Sequence, residues 1–107
     1  MARDHHVTIH KMPWLLRFTR LSGAANGYCY LPEHDKPSTK KIAYKILIDT
    51  RLTEGSRPQL ETIIHEFMHA SYESVSECHV TESASDLAKI LWNLGYRITP
   101  CEATDAR

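Results

Sequence analysis

The stretch that decides the fold is Ser56-Arg57-Pro58-Gln59-Leu60-Glu61-Thr62-Ile63-Ile64-His65-Glu66-Phe67-Met68-His69-Ala70-Ser71-Tyr72-Glu73. Ser56 with Gln59 three residues on is a capping-box pattern, and Pro58 suits a first helical turn. The pattern predicts a helix over about 57–73. Leu60, Ile63, Ile64, Phe67 and Ser71 share one stripe at helical spacing, whereas Glu61, His65, His69 and Tyr72 fall on the opposite side. A second helix is expected from 77 or 80 to 94, closed by Gly95 as a C-cap. Its apolar stripe is Val80, Ala84, Leu87, Leu91 and Leu94, with Glu82, Asp86 and Asn93 turned away from it.

Upstream the periodicity changes. Residues 42–49 alternate and then become continuously apolar (Ile46-Leu47-Ile48), which predicts a partly covered strand. Residues 7–20 read as strand interrupted at Pro13, and Gly27 to Leu31 as a further strand after a turn over 23–27, where Asn26-Gly27 favours positive φ. Pro32 to Lys41 reads as an exposed loop, and residues 97–107 as a possible short strand followed by a frayed tail. The expected fold is α+β: a small, mostly antiparallel sheet of three or four strands packed on a two-helix hairpin. A chain of 107 residues has room for one domain, with strands and loops over 1–55, the helical hairpin over 56–95 and a tail over 96–107.

Charge narrows the function classes. Thirteen basic residues balance thirteen acidic ones, so no bulk field draws the chain to nucleic acid or to a membrane surface. Mean hydropathy is -0.40, the longest apolar runs are too short to span a bilayer, and the first residues lack the apolar core of a signal peptide. A cytoplasmic location is expected. Cys29, Cys78 and Cys101 are odd in number and form no C-x-x-C pair, so reduced packing thiols are expected rather than a disulfide framework. Seven histidines make position the deciding matter.

His65 and His69 are four residues apart, one above the other on a helix face, and can offer two imidazole nitrogens to one tetrahedral Zn2+. Glu66 lies beside such a metal and can take a proton from a water acidified by it. A catalytic zinc wants a third protein ligand. Matching heights along a hairpin that turns near Ser74–Ser76 sets His65 and His69 opposite residues 86 and 82. That favours Glu82, with Glu77, Asp86 and His79 as the other candidates. Asp86 could accept the free N–H of a zinc histidine. Tyr72, one turn beyond His69, is the nearest candidate to stabilise an oxyanion, with His79 and Tyr96 behind it.

Thr81-Glu82-Ser83-Ala84-Ser85-Asp86 resembles the second-helix motif N-E-x-x-S-D of the thermolysin-type gluzincins, with Thr81 where the family has Asn. The likeness covers about residues 56–94. It implies a zincin-like fold, Glu82 as third zinc ligand, Asp86 as partner of a zinc histidine and Glu66 as general base. The small size and the Ile48-Asp49-x-Arg51-Leu52 lead-in look more like minimal H-E-x-x-H proteins of phages and bacteria. The gap from His69 to Glu82 is shorter than in thermolysin, and the family's large C-terminal domain has no counterpart here. The implied function is a zinc metallopeptidase acting on a protein or peptide, with an edge strand beside the helix (42–48 being the candidate) pairing with extended substrate. The alternative is a zinc-containing binding or regulatory protein whose site is closed by a fourth ligand such as Cys78 or His79. Nothing in the sequence speaks to oligomeric state.

Overall fold

A computed structural model describes residues 3–31 and 44–99. Within them lie strands β1 (Arg3–Ile9), β2 (Met12–Thr19), β3 (Gly27–Tyr30) and β4 (Tyr44–Asp49), then helices α1 (Arg57–Ser71) and α2 (Glu77–Leu94). The strands form one mixed sheet in the order β1-β2-β4-β3. β1–β2 and β3–β4 pair antiparallel, and β2–β4 parallel. The α+β architecture expected from the pattern is the one observed. The expected strand start at Ile42 and Ala43, the loop 32–41 and the tail from 100 lie outside the described residues.

The segment 7–20 is two strands rather than one interrupted strand. Its turn is His10-Lys11, both at positive φ (52° and 67°), a geometry that suits the right-handed twist of a two-residue hairpin but usually calls for Gly or Asn. No turn residue marks it in the sequence. Pro13 is tolerated because it pairs only with Thr8 of β1, and the described pairing of β2 with β4 starts one residue later, at Trp14 opposite Tyr44.

One face of the sheet carries the core: Ile9, Trp14, Phe18, Ile46 and Ile48, with Ile63 and Ala70 of α1 packed on them. Ile48 is wholly buried, and removing such a side chain from water contributes about 1.5–3 kcal/mol. The start of α1 follows expectation in part. Ser56 accepts from the Gln59 N–H at 3.3 Å, but the Gln59 side chain accepts from Gly55 N–H rather than from the cap residue. The helix ends at Ser71, and Tyr72 caps it. Its buried residues are Gln59 and Glu66, while Phe67 is exposed. α1 is therefore rotated away from the orientation its apolar stripe implies, because it must serve both the sheet and α2.

α2 starts at Glu77 behind its N-cap Ser76 and stops at Gly95 in the left-handed conformation (φ 98°). Val80, Ala84 and Ala88 are its fully buried residues, whereas Leu87 and Leu94 are exposed. Small alanines let the two helices approach closely, which turns the inward face toward them and away from Leu87. The described residues 96–99 form no strand. No described helix is long and apolar enough to cross a membrane.

Candidate metal centre

The four-residue spacing does what helix geometry requires. The His65 and His69 rings sit edge to face with centroids 4.9 Å apart, and their Nε2 atoms are 3.2 Å apart. Glu77, the first residue of α2, closes the group. Its Oε2 lies 3.0 Å from His65 Nε2 and its Oε1 2.7 Å from His69 Nε2. These donors all fall within 4.8 Å of one another, so the three residues can hold a metal ion. Both rings are partly buried, and Glu77 is exposed.

The structure brings Glu77, not Glu82, to the histidines. Helix rotation accounts for this. At about 100° per residue, Glu77 stands three positions before Val80 and shares its inward face, whereas Glu82 stands two positions after it and points nearly opposite. Glu82 is exposed, and its Oε2 is 3.9 Å from the Cys78 thiol. Asp86, two positions after buried Ala84, is exposed for the same reason. Height along the hairpin favoured Glu82; rotation about the α2 axis, fixed by Val80, Ala84 and Ala88, selects Glu77. Cys78 and His79 are exposed on the same first turn and outside the group.

Glu66 is 8% exposed and packs where β3 begins. A Cβ on Gly27 would lie 2.9 Å from Glu66 Oε2 and 2.8 Å from Thr62 Cγ2, so only glycine lets the strand sit this close to α1. Gly27 is the site residue that the sequence reading missed. Asn26-Gly27 looks like a turn, yet the described positive-φ glycines are Gly23, Gly55 and Gly95. Its glycine is required by a close approach instead. Strand 44–49 is flanked by β2 and β3, so among the described residues the sheet edge beside α1 is β3, with Tyr28 and Tyr30 turned outward.

An open cleft of about 770 Å³ runs along this side of α1, bordered by Gly27, Arg57, Glu61, His65, Glu66 and Glu77. Burial pushes the Glu66 carboxyl above its ordinary range; the facing histidine charges offset part of this and Glu77 adds to it. Burial acts in the same direction on Glu77, but the charges and hydrogen bonds of His65 and His69 prevail and hold it below its ordinary range. Tyr72 lies outside the cleft wall, 53% exposed, with its ring edge-on to His10 at 6.3 Å. Tyr96 borders a separate apolar groove near Leu60 and Trp92. Burial, with the charges of Glu66 and Glu73, pushes the Cys29 thiol up to about 11.

No family model, curated protein or solved structure matches this chain.

Proposed function

We propose that the protein is a zinc-dependent metallopeptidase in which His65, His69 and Glu77 hold the metal and Glu66 is the general base. The observation that carries the reading is the convergence of three donors within 4.8 Å on a cleft that also exposes one edge of a buried carboxylate. Tetrahedral ligands at zinc distances stand about 3.3–3.4 Å apart. The two imidazole nitrogens, 3.2 Å apart, stand near that spacing, and each faces one oxygen of the Glu77 carboxylate, Oε2 at 3.0 Å from His65 and Oε1 at 2.7 Å from His69. Two imidazoles and one carboxylate are a donor set typical of catalytic zinc, which leaves a fourth position free. Among the described residues no further donor joins the three, which favours an open over a closed site.

When bound, zinc acidifies a water to a pKa of about 7 and polarises the scissile carbonyl. Glu66 takes the proton of the attacking water and delivers it to the departing amine. Its burial suits that exchange, since burial raises the proton affinity of the carboxyl above that of an ordinary exposed one. Gly27 keeps β3 against the base, and β3, an edge strand among the described residues, offers an extended peptide a pairing partner.

The test is hydrolysis of a mixed peptide pool by zinc-loaded wild type and Glu66→Gln. A loss of about 10²–10⁴-fold in the variant, with zinc retained, is expected. Equal turnover by both forms, or none by either, would rule the proposal out.

A further inference from the structure

Arg57, Glu61 and His65 are spaced by four residues, so they form one stripe along α1, and all three border the same cleft. The side chains of Arg57 and Glu61 make no hydrogen bond or ion pair with any described residue, and none with each other. Two charges of opposite sign, unpaired among the described residues, therefore stand along the helix from the metal residues. At 1.5 Å rise per residue, Glu61 is about 6 Å and Arg57 about 12 Å along the helix from His65. An extended peptide covers the longer span in about three to four residues.

Direction follows from the topology. β4 leads through residues 50–56 into α1, which packs back over the sheet, so α1 runs with β3, the antiparallel neighbour of β4. A peptide added antiparallel to β3, an edge strand among the described residues, runs from the His69 end toward Arg57. From these placements we infer that the cleft selects substrates bearing a carboxylate three or four residues beyond the scissile bond on its C-terminal side, bound by Arg57. Glu61 disfavours a carboxylate at the second residue. The carboxylate is an acidic side chain or the chain's own C-terminus. This inference rests on the metallopeptidase reading.

Peptides with a succinyl hydroxamate at the N-terminus anchor on the metal and extend in the required direction. Affinity for the zinc-loaded protein is measured by calorimetry for Glu against Gln at the second, third and fourth positions beyond the scissile bond, the succinyl unit standing for the first, with amidated and with free C-termini. Glu at the third or fourth position should bind about fivefold tighter than Gln, the scale of a solvent-exposed ion pair. The ratio should fall to about one in Arg57→Ala, invert in Arg57→Glu, and shrink as salt rises from about 0.05 to 0.5 M. A free C-terminus at those positions should show the same gain over its amide if the terminal carboxylate is a source. A ratio of one at every position, or a preference that survives Arg57→Ala, would overturn the assignment while leaving the metal cleft intact. Hydroxamates that bind zinc-loaded and zinc-free protein alike would overturn both.

Discussion

Glu66 meets two demands that pull against each other. As the proposed general base it must be buried enough for its proton affinity to rise above that of an exposed carboxyl, yet open enough to meet a water. Contact with Gly27 on one side and the cleft on the other reconcile them. His65, Glu66 and His69 were legible in the sequence because their relation is local: four residues of one helix fix it. Gly27 was not, because its requirement comes from a side chain 39 positions later in the chain. The same local surroundings separate the cysteines. Cys29 faces α1 with its thiol raised to about 11, and Cys78 is exposed on α2. Since the thiolate is the reactive form, iodoacetamide at pH 8 should modify Cys29 about tenfold more slowly than Cys78. Peptide mapping by mass spectrometry reads the two rates, and equal rates would contradict the burial of Cys29.

At the scale of elements, the third ligand depends on where one helix begins. Ser76 accepts from the His79 N–H at 3.1 Å, which fixes the first turn of α2 and with it Glu77. Ser76→Ala should cost about 1 kcal/mol of stability, as other N-cap losses do, read by urea unfolding. It should also weaken zinc binding, though far less than Glu77→Ala. A Ser76→Ala protein with unchanged stability would mean that the cap does not hold this helix start. The end of α2 at its glycine stop was readable, because a C-cap is a short-range signal, whereas the sequence allows its start at 77 or 80, and Ser76 fixes it. Its rotation was only half readable. Val80 and Ala84 pointed the right way, but Leu87 and Leu94 suggested a stripe that the close Ala84 and Ala88 packing displaces.

For the whole molecule, the fold class followed from period-two segments preceding period-3.6 ones. The sheet order did not, since the parallel pairing of β2 with β4 is non-local and leaves no mark in either strand. One buried group ties these parts together. Asp49, fully buried, accepts from Leu21 N–H, Arg51 N–H and the Arg51 guanidinium, which also donates to Ala25 O. The Arg51 hydrogen bond outweighs burial and holds the Asp49 carboxyl well below its usual range. A depressed carboxyl contributes stability that is complete above its unfolded pKa of about 3.9 and is lost as pH falls toward the folded value. Wild type should therefore lose thermal stability between about pH 5 and 2 more steeply than Asp49→Asn, whose midpoint is already lowered at pH 7. Parallel pH profiles of the two proteins would contradict the clamp.

The proposed zinc site of His65, His69 and Glu77 is tested most directly by zinc affinity and ligand count for wild type, Glu77→Ala and Glu82→Ala, by competition titration and X-ray absorption. One zinc per chain with three protein ligands and a water is expected, with a loss of at least about tenfold in affinity for Glu77→Ala and wild-type affinity for Glu82→Ala. Wild-type affinity in Glu77→Ala, or a loss in Glu82→Ala instead, would contradict it.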